Sequence, residues 1–206
     1  MSLNLTNLEN ALWTDEWSTS INPVQATAYG HVATPEGLVL QMCSNVPYGG
    51  WLCKQVSPLY KQSQQITLAY TLAIDSATPL CAQVVETDMK LTDAEGWTYD
   101  GSLQFNIAER WMIHTGDPWK DTGIRIPLTP NKNTIVEIAY HLDYALKTLT
   151  YESITVDLES VGLNITLPAH KMGWAPNQIV TQIQQCNNNA KGGYSLRFPN
   201  IEYRMA

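Results

Sequence analysis

Short stretches in which apolar residues alternate with small or polar ones dominate this chain. Because successive side chains of a β-strand point to opposite faces, this spacing predicts strands with one apolar face. The clearest stretch, at 65–75, carries on one face Ile66, Leu68, Tyr70, Leu72 and Ile74. The same alternation recurs at 134–143, 149–157, 161–167, 178–186 and 194–203.

Turn residues bound these strands, and helical patterns are scarce. A hairpin is predicted between 28–33 and 38–42, where Pro35 presets φ and Gly37 accepts a positive φ. A short helical turn is predicted only after Thr6 or Asn7. Ten or more strands with almost no helix predict an all-β fold, a two-sheet antiparallel jelly-roll sandwich, with a closed barrel as the alternative. Without a repeat or linker, 1–206 is expected to form a single β-sandwich domain.

Charge and composition limit the class of ligand. The chain has 12 Lys and Arg against 19 Asp and Glu, a net charge of −7. This balance argues against nucleic acid and membrane surfaces as partners and suits a neutral or cationic ligand.

The N-terminus lacks a signal-peptide pattern, so the protein is expected to be cytoplasmic or to have had its signal removed. An amide- and hydroxyl-rich composition favours a secreted or periplasmic location, whereas the oligomeric state stays open.

Four cysteines leave the redox state open. Cys43 with Cys53 would join neighbouring strands, Cys81 with Cys186 would join distant ones, and four free thiols are the alternative. No C-x-x-C spacing indicates zinc, and no cofactor is expected. A structural calcium ion is an alternative to a solvated loop at 187–189, where three asparagines supply oxygen ligands.

Three predicted strands carry polar residues at alternate positions. These are Glu86, Asp88 and Lys90 in 81–92, Gln104 and Asn106 in 102–109, and Gln182 and Gln184 in 178–186. If the strands share a sheet, these side chains form one concave face of carboxylates and amides. Sugar hydroxyls both donate and accept hydrogen bonds, so such a face is suited to a carbohydrate.

Aromatic side chains could supply the flat apolar surface on which a sugar ring stacks. The chain has seven tryptophans. The four that lie near predicted loops or face strands, and are therefore candidate ligand-binding residues, are Trp97, Trp111, Trp119 and Trp174. Tryptophan is more often a core residue, so burial is the competing interpretation for each.

The layout from about Trp13 to Tyr203 resembles the concanavalin A-like lectin/glucanase superfamily. The stretches that carry the resemblance are 48–55 with its glycine pair, 86–88, 119–123, and 182–184 followed by a second glycine pair and 194–196. Glu86-Thr87-Asp88 is similar to the start of the Glu-x-Asp-x-x-Glu strand of laminarinase-type hydrolases, which makes Glu86 and Asp88 the candidate catalytic residues. Leu91 stands where those enzymes have their acid/base, so their mechanism is not carried over.

Three functions follow from these patterns. Carbohydrate binding without catalysis ranks first, because Leu91 replaces the acid/base. The second is a glycoside hydrolase or polysaccharide lyase that uses Glu86 or Asp88, and a lyase would need a base such as His114, His141, Tyr140 or Tyr151. The third is a structural or adhesion domain without a small ligand, in which the four tryptophans are buried.

Overall fold

Two antiparallel sheets make up the fold. A computed structural model describes residues 3–16, 26–45, 48–59, 62–108, 110–116, 119–188 and 192–206. Within these residues, the back sheet has the order β13 (Glu159–Pro168), β12 (Thr148–Val156), β11 (Thr134–Asp143), β6 (Gln65–Ile74), β15 (Gly192–Met205), β4 (Gly37–Ser44) and β3 (Ala28–Thr34), and β1 (Leu3–Leu5) pairs with β15. The front sheet has the order β10 (Lys120–Asp121), β9 (Arg110–Ile113), β8 (Thr98–Asn106), β7 (Ala82–Thr92), β14 (Gln178–Asn187), β5 (Gly50–Pro58) and β2 (Trp13–Glu16).

Helix is limited, in the described residues, to a 3₁₀ turn at Leu8–Asn10 and to α1 at Thr78–Cys81. The helical turn predicted after Asn7 is therefore present, although Asn7 caps it through a left-handed backbone (φ 58°) and not through its side chain. No helix among the described residues is long and apolar enough to cross a membrane.

The core lies between the two sheets and fixes which face of each strand points inward. The odd-numbered side chains are buried on the inner face of β7 from 85 to 91 and of β14 from 179 to 185, among them Met89 and Ile183. Hydrogen bonds between the sheets cross the core, among them one from the Thr87 hydroxyl to the Tyr70 hydroxyl (3.1 Å) and one between the hydroxyls of Thr181 and Tyr203 (3.0 Å). The all-β two-sheet jelly-roll sandwich is thereby confirmed. The even-numbered residues from 84 to 90 on β7 and from 178 to 184 on β14 point away from the core.

Two sequence predictions are corrected by the strand assignments. The strand predicted at 102–109 begins at Thr98 and ends at Asn106, whose Oδ1 accepts the Ala108 N–H in a turn. Cys43 and Cys53 are not on neighbouring strands, because β4 belongs to the back sheet and β5 to the front sheet. All four cysteines are free thiols.

Candidate carbohydrate-binding site

The three strands with alternating polar residues are direct neighbours in the front sheet, with β7 between β8 and β14. Glu86 pairs with Gln104 on one side and Gln184 on the other. Asp88, one step along, pairs with Ser102 and Gln182. Cross-strand partners share a face, so these six side chains form two adjacent rows on the outer face of the sheet. We call them the polar floor: Glu86, Asp88, Ser102, Gln104, Gln182 and Gln184.

The polar floor is recessed, although it lies on the side of the sheet away from the core. Asp88 is 3% exposed, Gln182 6%, Gln184 7% and Gln104 8%. Polar side chains on a wet sheet face are usually far more exposed, so surrounding side chains must stand above these. A recessed polar surface of this kind can surround a small ligand.

Several hydrogen-bonding groups of the polar floor are not used within the protein. Gln184 Nε2 donates to Glu86 Oε2 at 3.1 Å. The Gln182 amide, in contrast, makes no side-chain hydrogen bond to any described residue, and buried Asp88 Oδ1 has no partner there either. Unsatisfied buried polar atoms are costly, so they commonly mark a place where water or a ligand binds.

Burial and mutual repulsion shift the pKa values of the acidic pair. Burial, followed by the negative charge of Asp88, raises the pKa of Glu86 to about 10. Burial also raises the pKa of Asp88, against the opposing effect of the Lys90 ammonium. Glu86 therefore keeps its proton at neutral pH and can donate a hydrogen bond.

Lys90 is the next outward residue of β7 after Asp88 and supplies the cation of the site. Its Nζ donates to Asp100 Oδ2 at 3.1 Å on the neighbouring strand. Burial lowers the pKa of Lys90, but the charges of Asp88 and Asp100 outweigh this effect and raise it overall. The ammonium group thus stays charged and offsets part of the negative charge of the cluster.

Leu91 faces the core and is fully buried. The pairing of β7 with β8 and with β14 has no bulge between Glu86 and Thr92, so strict alternation holds along this segment. Even a glutamate at position 91 would point away from the polar floor. The laminarinase arrangement is therefore excluded on this strand by the backbone as well as by the side chain.

Two of the four candidate tryptophans lie beside the polar floor. Trp174 is half-buried, and Lys90 Nζ lies 5.9 Å from its ring centroid. Trp119, also half-buried, meets the His114 ring edge-on with centroids 5.3 Å apart. The backbone N–H of His114 donates to the Ser102 carbonyl (3.1 Å). His114 therefore lies at the β9 end of the row formed by Gln182, Asp88 and Ser102, which we call the Asp88 row.

Trp111 and Trp97, the other two candidate tryptophans, do not line the polar floor. Trp111 is 1% exposed on the inner face, 4.9 Å from Phe105 between ring centroids, and its Nε1 donates to the Ile126 carbonyl (2.8 Å). Trp97 occupies the turn between β7 and β8, where it packs against the core beneath the ammonium groups of Lys147 (6.0 Å) and Lys171 (4.8 Å).

Asn106 and His114 show the limits of the strand patterns. Asn106 shares the outward face of Gln104, but its Oδ1 is used in the turn at the end of β8. The sequence indicates His114 only as a possible lyase base, because β9 (Arg110–Ile113) is too short to show alternation. His114 lies opposite Ser102 because of the register in which β8 and β9 pair.

No described group of three or more His, Cys, Asp or Glu side chains is arranged to hold a metal ion. Asn189 lies outside the described residues, so the calcium ion at 187–189 stays a prediction.

Comparison with known proteins identifies the fold. No family model and no curated protein sequence matches the chain. Lectin I from Ulex europaeus, solved with the methyl glycoside of α-L-fucose, aligns with a TM-score of 0.56 and 12% identity over 98% of this chain and 97% of its own. Arcelin-5, a lectin-like defence protein from Phaseolus vulgaris, aligns with a TM-score of 0.55 and 8% identity over 100% of this chain and 98% of its own. A carbohydrate esterase from the Shiga toxin-encoding bacteriophage phi24B aligns with a TM-score of 0.52 and 10% identity over 94% of this chain and 89% of its own.

The chain accordingly has the concanavalin A-like jelly-roll fold that the sequence layout resembles. At these identities the similarity establishes the fold alone, because one fold can carry many different functions.

Proposed function

We propose that the protein binds a carbohydrate on the outer face of the front sheet. The observation that carries this proposal is the register, which gathers the carboxyl, amide and hydroxyl groups of the polar floor into two adjacent rows beside Trp119 and Trp174.

The groups of the polar floor match the chemistry of a sugar. The Gln182 amide offers a donor and an acceptor, Asp88 an acceptor, and protonated Glu86 a donor. Trp174 and Trp119 are half-buried, which leaves part of each ring for stacking and disfavours a purely structural role in which they would be buried. The acidic cluster with its one ammonium group favours a neutral glycan over a uronate.

Structural neighbours support this proposal at the level of the fold. A lectin with a bound fucoside and a carbohydrate esterase have the same architecture, and so does an alginate lyase from Chlorella virus, with a TM-score of 0.50 and 8% identity over 86% of this chain and 89% of that one. The jelly roll is therefore compatible with sugar ligands, while the particular site rests on the residues of this chain.

Substituting Gln182 by alanine is expected to weaken glycan binding at least about tenfold, since a buried donor and acceptor are lost together. A broad glycan array identifies the ligand, and titration calorimetry measures the loss. Gln41→Ala is the matched control, because Gln41 is exposed on β4 of the back sheet. The absence of binding to every glycan of the array, or equal affinity of the Q182A and Q41A variants, would contradict the proposed site.

Glycan cleavage is the second candidate function, and the adjacent carboxyl groups of Glu86 and Asp88 favour it. Side chains that differ in proton affinity can serve as acid and base, and Glu86 holds its proton to about pH 10. If the protein is a glycosidase, Glu86→Gln should lower turnover at least about 100-fold, as expected for loss of a general acid. Reducing-end assays on β-glucans test this, and unchanged turnover would remove Glu86 from the mechanism.

A further inference from the structure

A cavity of about 260 Å³ borders the polar floor over β14 and β5. Its lining residues are Lys54, Val56, Trp174, Ala175, Gln178 and Val180. Val180 lies two residues before Gln182 on β14 and pairs with Lys90 on one side and Val56 on the other. Two residues of a strand span about 6.5 to 7 Å, so the cavity lies roughly one sugar ring from the Asp88 row.

The cavity combines an apolar base with an amide at its edge. Val56 and Val180 are cross-strand partners that point outward side by side, and Val56 is 49% exposed. Trp174 adds an aromatic wall. The Gln178 side chain makes no hydrogen bond to any described residue, so its amide is available to pair with another amide.

The charges around the cavity are balanced. Lys54 Nζ lies 2.8 Å from Glu16 Oε2, and Lys90 Nζ lies 3.1 Å from Asp100 Oδ2. Because each ammonium group is paired with a carboxylate, neither an amino nor a carboxylate substituent of a ligand finds an unpaired opposite charge there. An uncharged substituent with an apolar end and an amide is the best match.

We propose that this cavity takes the acetamido group of an N-acetylhexosamine, whose ring lies over the polar floor. The methyl group contacts Val56 and Val180, and the amide pairs with Gln178. This inference rests on the proposed carbohydrate-binding function and adds the class of sugar. Deacetylation would remove the apolar contact and bring a third ammonium group next to Lys54 and Lys90.

Matched oligosaccharides of equal length that differ only at the 2-position test the inference. Glucose, N-acetylglucosamine and glucosamine trisaccharides, with the corresponding galactose-based sugars, are titrated by calorimetry. The acetylated member is expected to bind at least tenfold more tightly than either partner. Val56→Thr keeps the shape of the side chain but places a hydroxyl against the methyl group, and it should weaken binding of the acetylated sugar about three- to tenfold.

Val32→Thr is the control, because Val32 is a similarly exposed strand residue (52%) on β3 of the back sheet. Equal affinities within each matched set, or equal effects of the V56T and V32T variants, would overturn the acetamido pocket and leave the carbohydrate site intact. If no glycan binds, either on this panel or on the wider array, both the acetamido pocket and the proposed carbohydrate-binding function would be overturned.

Discussion

Replacing Glu86 by glutamine is expected to make the folded protein more stable at pH 8 and to flatten the dependence of its stability on pH. Glu86 has a folded-state pKa of about 10, whereas an unfolded glutamate titrates near 4.3. Between these values the folded state holds a proton that the unfolded state has released. The free energy of unfolding therefore falls as the pH rises through this window.

For this one group, the free energy of unfolding is expected to fall by at most about 1.4 kcal/mol per pH unit, or about 4 kcal/mol between pH 5 and pH 8. Glutamine is uncharged, keeps the shape of the side chain, and can still accept a hydrogen bond from Gln184. Urea denaturation of the wild type and the E86Q variant at pH 5, 6.5 and 8 measures the difference.

Glu159→Gln is the control for this experiment, since Glu159 is exposed at the start of the edge strand β13. It should leave the pH profile unchanged. Parallel profiles for the wild type and the E86Q variant would show that Glu86 ionises as an ordinary glutamate, and the argument for a neutral donor in the polar floor would fail with it.

Truncation of Trp111 to alanine is expected to cost about 3 to 5 kcal/mol of stability, the range typical of a large aromatic side chain removed from a core. The indole is 1% exposed and packs against Phe105, and the substitution also leaves the Ile126 carbonyl without its donor. Thermal and urea denaturation measure this loss.

Trp119→Ala separates the structural role from the ligand-binding role. The Trp119 ring is half-buried beside His114, so its loss should cost no more than about 1 kcal/mol while weakening glycan binding. The W111A variant, measured at a temperature where it stays folded, should bind as the wild type does. A large stability loss for the W119A variant, with none for the W111A variant, would contradict the placement of Trp111 in the core and of Trp119 beside the polar floor.

Strand alternation predicted the outward face of the site well, because it depends on the backbone alone. Glu86, Asp88, Gln182 and Gln184 share a face of the front sheet since side chains two residues apart point the same way. The tryptophans were predicted less well. Trp111 lies on an inward position of a short strand that carries no clear alternation, and Trp97 and Trp174 lie in loops, where no repeat tells which way a ring points.

The sequence by itself determined the class of fold and the set of residues that share a side on each strand, because both follow from a period of two along the local backbone. Only the tertiary structure decided that β7 lies between β8 and β14, and that Glu86 meets Gln184 from 98 positions along the chain. It also decided that His114 extends the Asp88 row and that Val56 and Val180 meet in a cavity. These pairings depend on which distant strands exchange hydrogen bonds and in which register, and no single segment carries that information.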